Sequence, residues 1–285
     1  MDTNARAHDP VASPSVPHLL NKVPEVTLYF WIIKILCTTV GETFSDYLNS
    51  TLGLGLNLTA VIMTAILAAV LVAQFRARRY VPAIYWTAVV LVSVVGTLVS
   101  DKLADDFGIS LVTTTVLFAV LLAGTFALWF AKERTLSIHS ITTRRREGFY
   151  WAAILFTFAL GTSAGDLFAE RLNLGYWPTA GIVAVLIAVI AVSHLAVRSK
   201  GVLAFWLAYI LTRPLGASMG DGMSQAPKDG GFGLGTTGTS LIYLAAILGL
   251  VVFLSVSGVD RDDEGDSVPV LEDEEQPEPA LATES

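Results

Sequence analysis

The stretch "YWAAILFTFALGTSAGD" (Tyr150–Asp166) is apolar for most of its length and ends on an acid. An α-helix of this length rises about 25 Å, which is most of the hydrocarbon thickness of a bilayer. Gly161 and Gly165 lie four residues apart on one helix face, and small residues at this spacing let two helix backbones approach closely in lipid. Asp166 follows directly on that face. The stretch predicts a transmembrane helix that makes a close helix contact and presents a carboxylate near one end.

The same pattern occurs four times along the chain. An aromatic residue precedes a tryptophan, a glycine follows the tryptophan by ten residues, a small residue follows by four more, and an aspartate comes next. The pattern therefore reads (F/Y)-W-x9-G-x3-(S/G)-D, and its positions are Trp31, Trp86, Trp151 and Trp206; Gly41, Gly96, Gly161 and Gly216; Ser45, Ser100, Gly165 and Gly220; and Asp46, Asp101, Asp166 and Asp221. The tryptophans are 55, 65 and 55 residues apart, which indicates four repeats of two helices each, arranged as two similar halves.

The composition is typical of polytopic membrane proteins. Of the 285 residues, 53% are hydrophobic and 15% are charged, the mean hydropathy is +0.62, and the apolar residues come in long blocks. Blocks of this length are predicted to span a bilayer as α-helices. Eight are predicted, at about 26–47, 55–75, 81–101, 110–131, 148–167, 176–197, 202–221 and 238–257. We therefore expect an all-α protein in the lipid bilayer, with eight spans built as four parallel helical-hairpin repeats.

The breaks between the predicted helices alternate in charge. "RARR" (76–79), the linker 132–146 and "RSK" (198–200) follow even-numbered helices, whereas breaks after odd-numbered helices are poor in Lys and Arg. By the positive-inside rule, the basic breaks and both termini are expected in the cytoplasm.

Three regions are predicted. They are a disordered cytoplasmic arm (1–25), a membrane domain (26–257) with repeats at 26–80, 81–135, 146–200 and 201–257, and a disordered acidic cytoplasmic tail (258–285). The net charge of −7 comes from that tail, because Asp260–Ser285 contains eleven acids and one base. A solubilising appendage is favoured over a regulatory segment.

The two-helix repeat also predicts the symmetry. Each repeat enters the membrane from the same side, so the symmetry axis is expected along the membrane normal, unlike that of inverted-repeat transporters. The tryptophans are expected to anchor the cytoplasmic interface. Fifteen residues further along each helix, the aspartates should lie about 22 Å away, at one level. Four carboxylates at one level can form a ring.

Two interpretations of the aspartates remain open. They either end the helices at the outer interface or act as a set that holds a cation or protons. Glu42, Asp105 and Glu170 each stand one helical turn from a repeat aspartate. Acids at this spacing repel unless a cation, a proton or a basic partner relieves them, which favours the second interpretation. The glycines and the small residues that follow them are interpreted as helix-packing positions.

Arg213 lies near the middle of the seventh predicted span, where an arginine is expected to face the bundle interior and pair with an acid. Glu42 is the leading candidate, because it lies one turn deeper than the aspartates and is the only acid at its repeat position. Its counterparts in the other repeats are Thr97, Thr162 and Ala217. Pro214 predicts a bend or break in the same helix.

Two further features have open roles. Lys34 lies nearer the cytoplasmic end of the first span and can either reach the interface by snorkelling or act within the bundle. The glycine-rich segment Gly220–Thr239 is either a gate or re-entrant segment or merely a longer connection.

Several classes of function are not supported. The chain has no phosphate-binding glycine loop, no Cys/His metal cluster and no serine nucleophile elbow, so we expect neither an enzyme nor a bound cofactor. One cysteine, Cys37, excludes an intramolecular disulfide. We expect no nucleic-acid partner, and no oligomeric state follows from the sequence.

The four tryptophan-bearing repeats, with "LTRPLGASMGD" and "GLGTTGTSLIYLAAIL" in the last one, resemble a bacterial family of uncharacterised integral membrane proteins. That family is built from four tandem two-helix repeats of unknown function. The resemblance covers residues 26–257 and implies a bacterial inner-membrane location and the eight-span fold. It implies no established activity.

Three functions are compatible with these features. The first is a secondary transporter or exporter of a small cation, in which the carboxylates bind a hard ion such as Mn²⁺, Mg²⁺ or Ca²⁺, or protons. The second is a carrier of organic anions or metabolites centred on Arg213. The third is a membrane scaffold or sensor that does not transport.

Overall fold

The computed structural model of the protein describes residues 21–171, 174–197 and 201–260, apart from the side chains of 170–171 and 195–197. All regular structure in these residues is helical. The eight long helices are α1 (Leu28–Asp46), α2 (Gly55–Arg76), α3 (Pro82–Asp101), α4 (Leu111–Glu133), α5 (Arg144–Asp166), α6 (Tyr176–Val197), α7 (Gly201–Ser224) and α8 (Gly235–Ser257). The expected all-α fold of four two-helix repeats is confirmed.

Seven of these helices, α2 to α8, are long and apolar enough to cross a membrane. The remaining long helix, α1, has 19 residues and carries three charged side chains, which lower its hydropathy. Near one end of α1, Phe30 packs against Trp86 of α3, and Gly41 near the other end lies against Ser93 of α3. α1 therefore passes through the same depth as α3, inside the bundle.

The odd-numbered helices form an inner ring and the even-numbered helices an outer layer. In α3, α5 and α7, 56–72% of the most apolar segment is buried, whereas the share is 17–28% in α2, α4, α6 and α8. Large apolar side chains on the outer helices, such as Val61, Val120 and Leu248, are exposed. An apolar belt of this kind is expected where a protein faces lipid.

The first glycine of each repeat forms the contact between successive inner helices. In every case it meets the residue three positions before the glycine of the next repeat, and repeat four closes onto repeat one. The contacts join Gly41 to Ser93, Gly96 to Phe158, Gly161 to Arg213 and Gly216 to Thr38. A Cβ atom at Gly216 would lie 1.7 Å from Thr38 Oγ1, so only glycine fits this contact. The inner helices are thus related by an approximate fourfold axis, which we call the bundle axis.

Each outer helix packs mainly against the inner helix of the next repeat. α2 lies on α3, α4 on α5, α6 on α7, and α8 on α1. The two helices of a repeat are neighbours in sequence but are not each other's main packing partner. This exchange links every repeat to the next and closes the ring without a free edge.

The helix widens directly after the aspartate in three repeats. α1, α3 and α5 each end on the repeat aspartate and continue as five-residue π-helical turns at Tyr47–Thr51, Lys102–Asp106 and Leu167–Arg171. Such turns are frequent at functional sites. α7 instead continues as an α-helix past Pro214, so the break considered there is absent. Its packing against α1, α5 and α6 supports the helix through the proline.

The end of the bundle opposite the aspartates is closed by polar contacts, and we call it the basic end. Lys22 Nζ lies 2.8 Å from Glu147 Oε2, with both side chains 1% exposed. Tyr80 donates a hydrogen bond of 2.6 Å to Asp260 Oδ2. Residues 21–25 and 258–260 therefore pack against the bundle, although the predicted disordered arm (1–25) and tail (258–285) include them. Hydropathy could not identify them because their contacts are polar. Residues 1–20 and 261–285 lie outside the described residues.

Candidate functional site

The four repeat aspartates line one cavity, which we call the acidic cavity, at the end of the bundle where the inner helices finish. Its volume is about 560 Å³. It is lined by Glu42, Asp46, Asn49, Ser50, Asp101, Ala104, Asp105, Gly108, Ile109, Ser110, Leu111, Asp166, Asp221 and Gln225. None of these described lining residues is basic. The aspartates thus lie around a common space, while the side chain of Glu170 is outside the described part of the chain.

Three carboxylates in this cavity converge closely. One oxygen from each of Glu42, Asp166 and Asp221 lies within 4.8 Å of the other two. Ca²⁺ binds carboxylate oxygens at about 2.3–2.6 Å, so two ligands on opposite sides of one ion stand about 5 Å apart. Asp46 and Asp101 border the same cavity outside this group of three. The arrangement can hold a hard cation by oxygen ligands alone.

The side chain of Arg213 reaches across the bundle axis next to the acidic cavity, on the side toward the basic end. Its guanidinium Nη2 lies 2.8 Å from Glu42 Oε2, and the two side chains are 0% and 8% exposed. The ion pair expected from the sequence is therefore present. Burial makes it sensitive to the loss of either partner, because the remaining charge would lose its directly bonded counter-charge.

Threonine hydroxyls complete the surroundings of the guanidinium. Arg213 Nη2 donates to Thr162 Oγ1 at 2.6 Å and also to Thr97 Oγ1, while Nη1 makes a longer bond of 3.4 Å to Thr38 O. Thr97 and Thr162 stand at the repeat position of Glu42, so three repeats direct the same position toward the bundle axis. Sequence analysis did not assign these threonines a role, although aligning the repeats on Glu42 identifies them.

Lys34 lies one helical turn further from the acidic cavity than Arg213 does. Its side chain is fully buried, and its Nζ has no hydrogen-bond partner among the described residues. The amine lies 3.8 Å from the centre of the Phe158 ring and 4.1 Å from that of Tyr209. The snorkelling position considered for Lys34 is therefore wrong, because the side chain is fully buried against Phe158 of α5 and Tyr209 of α7.

The repeat tryptophans lie toward the basic end. Trp86, Trp151 and Trp206 are at most 4% exposed, whereas Trp31 is half-buried. Their rings pack against the aromatic residues that precede them in each repeat, as Trp206 does against Phe205. Packing inside the bundle accounts for the three buried rings, and a role as interface anchors stays a prediction.

The second small residue of each repeat varies in type and in its contacts, whereas the first is always a glycine in a close helix contact. These residues are Ser45, Ser100, Gly165 and Gly220. A Cβ at Gly220 would lie 3.2 Å from Thr43, but one at Gly165 would have only ordinary contacts, at 3.7 Å. Ser100 instead shares a hydrogen bond of 2.7 Å with Ser163. The close approach of the inner helices thus depends mainly on the first glycine.

The glycine-rich segment of repeat four folds back on the end of α7. The amides of Phe232, Gly233 and Leu234 donate to the carbonyl groups of Gly222, Gln225 and Met223. Gln225 also lines the acidic cavity. The segment is an ordered connection beside the cavity, and a gating role for it stays a prediction.

Comparison with known proteins agrees with the internal repeat. A family model described as a repeat of unknown function, DUF347, matches residues 29–80, 84–135, 149–200 and 204–259. Each match covers most of one inner helix and the whole of one outer helix. No curated protein and no solved structure matches the chain significantly. The chain therefore belongs to the DUF347 family, as a membrane-type helical bundle built from four copies of its repeat.

Proposed function

We propose that this protein is a secondary transporter or exporter of small, hard cations, with the acidic cavity as its ion-binding site. The observation that carries the proposal is the convergence of Glu42, Asp166 and Asp221, whose carboxylate oxygens lie within 4.8 Å of one another. Asp46 and Asp101 add two further acids to the same cavity.

The ligand set favours a particular class of ion. Carboxylate oxygens bind hard cations such as Mn²⁺, Mg²⁺ and Ca²⁺, whereas softer metals prefer thiolate or imidazole ligands. No described residue that lines the cavity is a histidine or cysteine, and Cys37 is buried elsewhere in the bundle. A proton is the other ion that this set of acids can bind.

Transport, as opposed to static binding, is supported by the position of Glu42. Its Oε2 is held by Arg213 beneath the cavity, yet the same residue belongs to the group of three converging acids. An ion that enters the cavity therefore competes with the guanidinium for one carboxylate. Arg213 acts as a tethered cation that closes the bundle axis when the site is empty and is released when an ion binds. Such a competition links binding to a rearrangement of α7 against α1.

The alternatives have less support. An organic-anion carrier needs an available cationic group, but Arg213 is fully buried and bonded to groups of the protein itself. Its approach from the cavity is lined by acids, which repel anions. For a scaffold or sensor, the acidic tail is the natural signalling segment, and a chain truncated after Asp260 tests whether ion movement depends on it.

We place the protein in the bacterial inner membrane with both termini cytoplasmic, which puts the acidic cavity on the outer side.

Calorimetry on the purified protein in detergent tests ion binding. Mn²⁺, Mg²⁺, Ca²⁺ and Na⁺ are titrated separately, and at least one should bind. The double substitution Asp166→Asn and Asp221→Asn should weaken that binding by at least tenfold. Asp229→Asn, which removes an exposed acid outside the cavity lining, is the matched control and should bind as the unchanged protein does.

Vesicles containing the protein and an ion-sensitive dye then test transport. Entry of the bound ion, lost in the Asp166 and Asp221 variant but not in the control, is the expected result. Binding without entry would favour a sensor. Absence of binding by all four ions would refute the cation site.

A further inference from the structure

Lys34 is a buried amine that ion binding in the acidic cavity does not use. It is fully enclosed, its Nζ has no hydrogen-bond partner in the described part of the chain, and its contacts are the faces of Phe158 and Tyr209. Burying a polar group without a hydrogen bond is unfavourable, and burying an unpaired charge is more so. A residue kept in such a position within an inner helix calls for a role other than packing.

Charges near the bundle axis make the protonation of Lys34 dependent on its neighbours. Arg213 lies near the same ring, with its Cζ 5.8 Å from the centre of Phe158. Glu42 carries one negative charge and already pairs with Arg213. If Lys34 is protonated while Arg213 and Glu42 are charged, these three side chains together carry one net positive charge.

The ring contacts also allow the charged form. An ammonium group over an aromatic face is stabilised by cation–π attraction, which is stronger when water is excluded. Lys34 is therefore placed so that the neutral amine tolerates burial and the ammonium has two rings to receive it. Small changes in the surrounding charge can shift the balance between these two forms.

We propose that Lys34 is a proton-binding site that couples cation movement to proton movement in the opposite direction. This inference rests on the proposed cation transport. A cation bound by Glu42, Asp166 and Asp221 adds positive charge above Lys34 and removes Glu42 from Arg213. Both changes disfavour the ammonium form, so Lys34 releases its proton, and it regains one when the cation leaves.

The other ionisable groups around Lys34 fit this assignment. Cys37 lies on the same helix, while α7 contributes Tyr209 and Arg213. From α5 the contact is Phe158, which does not ionise. Tyr85 of α3 and Tyr150 of α5 share a hydrogen bond one turn nearer the basic end. None of these groups is an acid that would hold Lys34 permanently charged.

The exchange balances in protons and charge. The ammonium nitrogen of Lys34 gives one proton to water on the side of the membrane to which the protein is open at that stage, and the neutral amine keeps the electron pair. One divalent cation exchanged for this proton moves one net positive charge in the direction of the cation. One monovalent cation exchanged for it moves no net charge.

The test measures both ions in the same preparation. Vesicles of phosphatidylethanolamine and phosphatidylglycerol contain the full-length protein and either calcein, which Mn²⁺ quenches, or pyranine, which reports internal pH. Mn²⁺ is added outside, with valinomycin and K⁺ fixing the membrane potential. The variants are Lys34→Met, which keeps the side-chain length, and Lys34→Gln, which keeps a polar group. Lys132→Met, at an exposed position on α4, is the matched control.

For the unchanged protein and the Lys132 variant, Mn²⁺ entry should make the interior alkaline. For Lys34→Met or Lys34→Gln, Mn²⁺ entry down its own gradient should persist, with the protons released per Mn²⁺ falling at least fivefold and no acceleration by a pH gradient. Unaltered proton release in both variants would overturn the assignment of Lys34. Mn²⁺ entry without proton movement in the unchanged protein would overturn the coupling but leave cation transport standing. Absence of Mn²⁺ binding and entry would remove the proposed function and the coupling together.

Discussion

The substitution Glu42→Gln tests the ion pair on the bundle axis most directly. It removes the charge that neutralises Arg213 and keeps the size of the side chain. The other partners of this buried guanidinium, the hydroxyl groups of Thr97 and Thr162 and the carbonyl of Thr38, are neutral. Arginine does not give up its proton in proteins, so the variant retains a buried charge that has lost its directly bonded counter-charge. We expect a loss of about 3–5 kcal/mol in the free energy of unfolding.

Removing the other partner of the ion pair should cost less stability. Arg213→Met leaves Glu42 without its bonded partner, but that side chain is 8% exposed and lines the acidic cavity, where water can solvate it. In the double variant, which combines Glu42→Gln with Arg213→Met, neither side chain of the pair is charged. Replacing a buried ion pair by neutral groups is often close to neutral in stability. The double variant should therefore be more stable than Glu42→Gln alone. The expected coupling energy is about 3 kcal/mol.

Thermal unfolding in detergent, followed by tryptophan fluorescence, measures these effects. With roughly 2–4 °C per kcal/mol, Glu42→Gln should lower Tm by about 6–20 °C. Asp106→Asn is the matched control, because it breaks the exposed pair of Asp106 with Lys102, whose side chains are 36% and 30% exposed. Such a pair contributes at most about 1 kcal/mol. Single-variant losses that simply add in the double variant would refute an energetic link between Glu42 and Arg213.

Three further outcomes are expected. Gly216→Ala should lower Tm strongly, because its Cβ would meet a threonine hydroxyl of α1 at 1.7 Å, whereas Gly124→Ala in α4, with no atom within 4 Å, should leave Tm unchanged or raise it; equal effects would argue against the glycine contact. Burial, and then the hydrogen bond to an aspartate, raises the pKa of the Tyr80 hydroxyl, so the unfolded chain ionises first and the contribution of this residue to stability should be constant below about pH 10 and fall above it. Comparing the pH dependence of Tm with that of Tyr80→Phe checks this, since identical alkaline losses would contradict it. Finally, an impermeant maleimide added to whole cells should label Ser50→Cys but not Lys132→Cys, because the single native cysteine is buried and the two new positions lie at opposite ends of the bundle. The opposite labelling would reverse the proposed orientation.

Several features of the site follow from spacing alone. Each tryptophan precedes its aspartate by fifteen residues, and a helix rises by a fixed amount per residue, so the four aspartates lie at one level. The repeat alignment also singled out Glu42 as the acid one turn below them, and the ion pair with Arg213 follows that prediction. These inferences succeeded because they needed only the geometry of a single helix and the high energy of an unpaired charge in the membrane.

Other features could not be read from hydropathy. Inner and outer helices are both apolar, because lipid and the bundle interior are similar environments for a hydrocarbon side chain. The pattern therefore did not show that α2 packs on α3 rather than on its own partner α1, or that Lys34 lies between Phe158 and Tyr209 instead of at the interface. The contacts of Lys22 and Asp260 at the basic end were equally hidden, because each partner is distant in sequence.

By itself the sequence determined the number of helices, the fourfold repeat and the depth of the repeat aspartates, Glu42 and Arg213, since these depend on local helix geometry and on the energy of transfer into lipid. Only the tertiary structure decided the order of the helices around the bundle axis and which charged groups meet there. The physical reason is that these arrangements depend on close contacts between distant segments. A glycine of one repeat must meet a particular residue of the next, as Gly161 meets Arg213, before the acidic cavity, the ion pair and the buried lysine are brought together on one axis.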